Sequence, residues 1–353
     1  MTDVTTHHQN PRRWRRLAAA LTIVVLAAAA CGGGSGGSAE RGAPDGADRL
    51  RLTVGYSPWP GWYPIAIADE EGFFEREGLE VEVKFFADYL SSLDAMAAGK
   101  LDINGQTLND TIAAAAAGAE QVVVVIGDNS TGNDQIICDR SVGSIEDLKG
   151  KTIAAEAGVV DHFLLLQGLR SVGLGEDDIE FRGMLTADAA AAFAGGEFDC
   201  VGVYAPFTLQ AMERPGAKVL FDSSDFPGTI PDLWVATRTL VERNPEAVQR
   251  FVRAWYRTLR WIERNRSVAT ERMAEVADLS IGDYEKLAEG TTIFTAEQSR
   301  RAFEEGDDTT SIRHTARLIN DFLVDVGLTK RKARLEGLFA PRFTEAVVAE
   351  EPR

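Results

Sequence analysis

The sequence predicts an α/β fold built as two lobes around strands that run largely parallel. Three observations carry this. Short apolar strands alternate with short helices from residue 50 onward. The segment Gln121–Ile126 has continuous apolar character, as in a parallel strand covered on both faces. Finally, Ala95–Gly105 and Ala192–Gly202 repeat one pattern at an offset of 97: helix, glycine stop, turn with aspartate, buried strand. A duplicated lobe explains that echo; so does the ordinary grammar of any α/β chain.

The elements follow in order. Leu52 and Val54 alternate with polar positions and predict a strand ending at Gly55. Phe73 and Phe74 close a helix, and a strand covers Leu79–Phe86. Ser91–Ala98 is a short helix stopped by Gly99, followed by a buried strand at Leu101–Ile103. Asp110–Ala117 is an alanine-rich helix, capped by Asn109 or Asp110 and ended at Gly118. A crossing strand at Gln135–Cys138 opens the second lobe. There Thr152–Ala155 is a strand, Asp161–Val172 and Asp188–Ala194 are helices, and Phe198–Val203 is a strand. Trp234, Val235 and Ala236 form the return strand. The remainder is mostly helical. Asn244 caps a long helix with Pro245 in its first turn and a core face of Val248, Phe251, Val252, Trp255, Leu259 and Ile262. Thr295 and Gln298 make a capping box.

The chain begins with a targeting pattern. Arg12, Arg13, Arg15 and Arg16 precede an apolar run, Leu17–Ala30, that ends at Cys31. Positive flank, short apolar core, small residues and cysteine match a bacterial lipoprotein signal, or else an ordinary secretory signal with an accidental cysteine. Ala28 departs from the leucine usual at that position. The run is shorter than the roughly 20 residues that span a bilayer. Residues 1–30 are therefore read as a cleaved signal peptide, Cys31 as the lipidated residue and 31–48 as a glycine-rich tether. This places the protein outside the cytoplasm, held by lipid on the outer face of the cytoplasmic membrane.

Composition narrows the partners. A chain of 353 residues exceeds one compact core and suits two domains of about 150 residues. A formal net charge of -17 repels phosphate backbones, so nucleic acid is excluded as a partner. Removing the leader removes four arginines and Asp3 and leaves the chain more acidic still. Past Cys31, only Cys138 and Cys200 remain, enough for one disulfide at most; both sit in apolar strands and read as separate buried thiols.

Ligands of open α/β sheets bind beyond the carboxyl ends of strands, against helix N-termini. That rule selects specific loops. Tyr56–Pro64 holds Trp59, Trp62 and Tyr63 among three prolines, a stiff aromatic binding surface unless the rings pack beneath the loop. Asn104–Asp110 offers Gln106, Thr107 and Asp110. Asp128–Asp134 offers Ser130, Asn133 and Asp134, or is only a turn. Asp161 and His162 open a helix in the second lobe, where His162 reads equally as a plain helix-start residue; Tyr204 follows a strand. Asp232 and Trp234 lie where the chain returns. These loops carry no lysine or arginine but do carry Asp110, Asp128, Asp134, Glu156, Asp161 and Asp232. An amine, amide, hydroxyl-bearing or zwitterionic ligand fits them better than a bare oxyanion, unless each aspartate is only a cap.

Catalytic signatures are missing. There is no phosphate-binding glycine loop with lysine, no paired-histidine or clustered-cysteine metal motif, and no Gly-x-Ser-x-Gly elbow. Adjacent Asp161 and His162 lack a nucleophile. No catalytic residue, metal or cofactor is expected.

Several stretches resemble one family. They are Gly72–Leu79, Ala97–Ile103, Ile145–Ile153, Val203–Pro206, Asp232–Val235 with Asn244-Pro245, and Glu289–Thr295. In this order they are similar to the solute-binding proteins of ABC importers that include taurine-, sulfonate-, nitrate- and thiamine-pyrimidine-binding members. The resemblance covers about residues 50 to 330. It implies a type 2 periplasmic-binding-protein fold, with two α/β lobes joined by two crossing strands and a ligand cleft between them. It also implies a permease and an ATPase as partners. Lobe I is expected at 49–135 and 233–345, lobe II at 136–232, with a hinge near 135 and 232.

The loop Gln106–Asp110 departs from the small serine-rich loop of sulfonate binders, which leaves sulfonate in doubt. The expectation is a monomeric receptor, not an enzyme, for a small polar organic molecule: a zwitterion, an amine or a sulfonate-like solute. Trp59, Trp62 and Tyr63 would form its apolar wall. Gln106, Thr107 and Asp110 would hold the polar end, with Asp161, His162 and Tyr204 closing from the second lobe. A sensor lobe for a membrane kinase and an enzyme resembling thiamine-pyrimidine synthases are the alternatives. An adjacent permease or kinase gene separates the first from transport; turnover of the ligand identifies the second.

Overall fold

The structure is a computed structural model and describes residues 50–350. The expected signal peptide, Cys31 and the expected tether lie outside the described residues. The chain builds two sheets. The first contains β1 (Leu50–Tyr56), β2 (Leu79–Phe85), β3 (Ile103–Thr107) and β4 (Gln121–Ser130). The second contains β5 (Asp134–Asp139), β6 (Thr152–Ala155), β7 (Glu180–Gly183), β8 (Cys200–Tyr204) and β9 (Ala217–Asp222). The chain then returns to the first sheet through β10 (Pro231–Thr237) and β11 (Thr291–Ile293). The strand orders are β11-β4-β10-β3-β1-β2 and β7-β6-β8-β5-β9.

Both sheets are mixed. β1 runs parallel to β2 and β3, and β6 runs parallel to β7 and β8. β4, read as a parallel strand, is antiparallel to both β10 and β11. Its unbroken apolar run reports burial on both faces, not direction: every residue of β4 is buried. Two short crossings, 131–133 and 223–230, connect the sheets. They lie side by side, because β4 pairs with β10 and β5 with β9. Ser130 Oγ and Ser223 Oγ are 2.7 Å apart, and the Ser130 N–H donates to the Ile230 carbonyl.

Several boundaries shift from the predicted ones. Phe73 and Phe74 do not close a helix; the helix before them is Pro64–Glu70, and they begin a separate turn, Phe73–Arg76. Gly72, in the left-handed region, separates the two. The helix after β3 is Leu108–Ala117, capped by Thr107 rather than by Asn109 or Asp110. Cys138 and Cys200, read as separate thiols, are bonded. They are direct partners across antiparallel β5 and β8, a register that residue spacing does not reveal. The long helix Pro245–Arg264 is capped by Asn244 and buries Val248, Phe251, Val252 and Trp255 against the first sheet. No helix among the described residues is long and apolar enough to cross a membrane.

Candidate functional site

Strand ends and helix starts from both sheets meet around a narrow cavity of about 10 Å³. Pro58, Trp59, Trp62, Tyr89, Thr107 and Asp232 line it from the first sheet's side. Asp134, Val160 and Tyr204 line it from the second. A larger surface groove lies elsewhere, among residues 126–131, 227–231 and 292–315.

The aromatic wall is held by local chemistry. The Trp59 indole Nε1 donates to Asp128 Oδ1 at 2.9 Å. Trp62 lies against Gly105, where any Cβ would meet the indole at 2.9–3.1 Å, so the ring can seat only because β3 carries glycine there. Trp62 and Tyr89 have ring centroids 5.7 Å apart. Tyr89 meets Tyr204 edge-on at 6.3 Å, an aromatic contact from one sheet's side to the other's.

Carboxyls surround this wall. Tyr89 donates its hydroxyl to Asp110 Oδ2 at 2.9 Å and accepts the Thr107 N–H at 2.8 Å. Thr107 Oγ1 also donates to Asp110 Oδ2, at 2.6 Å. On the second sheet's side, Thr186 Oγ1 lies 2.9 Å from Glu156 Oε2 and 2.7 Å from Asp161 Oδ2. Asp128 and Asp232 stand opposite each other on β4 and β10, and the Oδ2 atom of each has no hydrogen-bond partner. Burial lifts Asp110, Asp128 and Asp134 each to about 7. Burial also raises Asp161, Glu156 and Asp232, and the neighbouring Asp128 carboxylate pushes Asp232 further. Burial holds the Tyr89 and Tyr204 hydroxyls well above their usual range. None of the residues lining the cavity is lysine or arginine.

Of the predicted residues, the cavity brings together Trp59, Trp62, Thr107, Asp134, Tyr204 and Asp232. Asp110 stands just behind, bonded to the lining Thr107 and Tyr89, and Asp161 follows the lining Val160 and accepts from Thr186. Six others lie elsewhere. Tyr63 is core, packed against Tyr284 at 6.2 Å. Trp234 is fully buried between Phe251 and Trp255. Gln106 donates to Thr111 Oγ1 and Gln121 Oε1, which ties β3 to its neighbours. Ser130 belongs to the crossing through Ser223. Asn133 donates to the Leu287 carbonyl and Thr291 Oγ1, anchoring the crossing to the helical region. His162 faces away: it accepts the Gly158 N–H, pairs with Glu176 at 3.0 Å and stacks on Phe181. Tyr89 and Thr186 were not predicted. The helix starts read from the sequence, Ser91 and Asp188, lie two residues beyond these side chains, whereas the helices open at Tyr89 and Thr186. Asp88, which caps the first of them, was the available signal.

Comparison with known proteins agrees with this architecture. Residues 59–267 match the family described as NMT1/THI5 like. A Brucella abortus protein named only as a binding protein is 32% identical over 211 residues, 58% of this chain and 65% of its own length. The matched stretch therefore spans just under two thirds of that relative. The taurine-binding periplasmic protein of Escherichia coli is 26% identical over 265 residues, 71% of this chain and 81% of that protein. Among solved structures, the alkanesulfonate-binding protein of Xanthomonas axonopodis pv. citri, bound to MOPS, superposes with a TM-score of 0.70 at 20% identity. That match covers 84% of this chain and 99% of the other, and it shows a shared fold.

Proposed function

Because the chain belongs to the NMT1/THI5-like family, we propose that it is the solute-binding receptor of an ABC importer, holding one small organic molecule between its two sheets. The observation that carries this reading is the cavity, whose walls come from both sheets and whose aromatic contact bridges them. Lobe I, expected at 49–135 and 233–345, carries the first sheet, and lobe II, expected at 136–232, the second; β5 begins at Asp134 and β10 at Pro231, so each junction falls two residues earlier. The lobes close by a hinge motion about the crossings 131–133 and 223–230, beside the predicted positions 135 and 232. Ligand favours the closed arrangement by its differential affinity for it, and the permease with its ATPase reads that arrangement. In the same reading the protein is a monomer outside the cytoplasm, tethered through Cys31, and it returns its ligand unaltered. The relatives named for taurine and alkanesulfonate support the receptor role.

Native mass spectrometry of the purified protein tests this. The expected result is a mass increment that disappears on denaturation, from a molecule that rebinds with its mass unchanged. A molecule converted on incubation would replace the receptor reading with an enzymatic one. A protein that takes up nothing from a cell's small-molecule extract would remove both.

A further inference from the structure

We propose that the ligand is a compact organic cation, an ammonium-type group on a small apolar body, whose positive charge is the counter-charge of the closed cleft. This deepens the receptor reading and rests on it.

The first argument is charge. Asp110, Asp128, Asp134, Glu156, Asp161 and Asp232 cluster at the cavity and repel one another from both sheets. No basic side chain lines the cavity, and His162 is turned away against Glu176. Buried charges persist only when paired. Internal hydrogen bonds answer part of this cluster, through Tyr89, Thr107, Thr186 and Trp59.

The second argument is an unanswered acceptor. Asp134 lines the cavity, is 2% exposed, and its Oδ2 has no hydrogen-bond partner. Asp161 Oδ1 and Glu156 Oε1, just behind the wall, also lack partners. These atoms accept and do not donate, so they call for a donor-rich ligand. Against these acceptors stands one buried lining donor without a partner, Trp62 Nε1, which does not satisfy a sulfonate's three oxygens.

The third argument removes the usual anion site. In this fold an anion would sit at helix N-termini. The helices Leu108–Ala117 and Val160–Ser171 both begin at the cavity, but each already carries a carboxylate in its first turn, Asp110 and Asp161. An anion at either helix start would therefore meet a carboxyl already in place. Meanwhile Trp59, Trp62, Tyr89 and Tyr204 line the cavity with the aromatic surface that cation–π contacts use. The gap holds only about 10 Å³, about one water's worth of room, so a compact molecule requires the least parting of the sheets.

The test uses the purified protein and a defined panel at equal ionic strength: methylammonium, tetramethylammonium, guanidinium, methanesulfonate, acetate and acetamide. Binding is read by calorimetry and by fluorescence of Trp59 and Trp62. At least one cation should bind at pH 8 and bind about tenfold more weakly at pH 6 for each proton it must displace. Asp134→Asn should weaken that binding about tenfold, and Asp161→Asn provides a second variant should the first fold poorly. Methanesulfonate, acetate or acetamide binding more tightly than every cation would overturn the cation proposal and leave the receptor reading standing. Silence from the panel and from a cell extract alike would overturn both.

Discussion

Raising the pH from 5.5 to 8 should destabilise the unliganded closed protein, against the habit of acidic proteins. Asp110 has an ordinary value of 3.8 and is lifted by burial to about 7. A carboxyl whose folded value lies above its unfolded one holds a proton that the unfolded chain releases. Its stabilising effect is complete below about pH 4 and is lost as pH rises to about 7. Between pH 5.5 and about 7 that amounts to about 1.5 units, or about 2 kcal/mol. Asp128 and Asp134 are lifted to the same value, so the three together cost on the order of 6 kcal/mol across the window. That is a large part of the stability of a typical domain, about 5–15 kcal/mol. The closed cleft cannot absorb it, and parting of the sheets rehydrates Asp110, Asp134 and Asp161 first. We therefore expect part of the loss as opening and part as a lower melting temperature. A residual 2 kcal/mol corresponds to roughly 3 °C for a chain of this size. His162 acts the other way: burial lowers it, so its neutral native form loses stability below pH 6.5. One histidine opposes several carboxyls, and the net sign stands. The surface carboxylates held low by partners, such as Glu297 beside Arg300, lose their contribution only near or below pH 4. The assay is calorimetry between pH 5.5 and 8, with small-angle scattering for opening, repeated on Asp110→Asn. A melting temperature and radius unchanged or improved at pH 8 would refute the closed, charge-crowded cleft.

Three further outcomes follow from the geometry. Gly105→Ala places a Cβ within 2.9–3.1 Å of the Trp62 indole, so it should cost about 1–3 kcal/mol in urea unfolding and blunt the ligand-dependent fluorescence. Asp102→Ala and Asp199→Ala each remove the acceptor for a strand N–H, Thr53 at 2.8 Å and Thr152 at 2.9 Å; each should cost about 1.5–3 kcal/mol, and a costless loss of either would break their equivalence. Reduction of the Cys138–Cys200 bond, which closes a span of 62 residues, should lower stability by about 4 kcal/mol, read as the shift in urea midpoint with and without reductant.

Much of the architecture was legible because it is written locally. Asn244, Thr295 with Gln298, and the left-handed glycines after helices are signals contained within a few residues. What stayed hidden depends on partners far along the chain. Gln106 reads as a ligand contact until its bonds to Thr111 and Gln121 are known. Tyr63 and Trp234 belong to the same aromatic-rich and returning segments as residues of the cavity wall, yet pack into the core against Tyr284 and Trp255. Tyr89 carries no chemical mark in sequence; it matters because Asp110, Thr107 and Tyr204 converge on it. The cysteine pair depended on strand register, which composition does not encode.

The offset of 97 between the two echoing segments explains why the cavity lies where it does. Asp102 and Asp199 occupy matching positions, and each accepts the N–H of the adjacent parallel strand, from Thr53 and Thr152. Their backbone N–H groups in turn donate to those same two residues. Ile103 and Cys200 then pair in register with β1 and β6. Gly105 and Gly202, three positions on, each admit a close neighbour: the Trp62 indole in one case, the helix start at Asp161 in the other. Two residues further, Thr107 and Tyr204 end their strands, and both line the cavity. One strand unit, used twice, thus delivers a hydroxyl-bearing side chain to the cleft from each side and leaves a helix start beside it. Because each helix start already holds an aspartate, the two units bring like charges face to face when the sheets close. A duplicated scaffold whose helix ends were bare would attract an anion; this one repels itself until a proton or a cation stands between its halves.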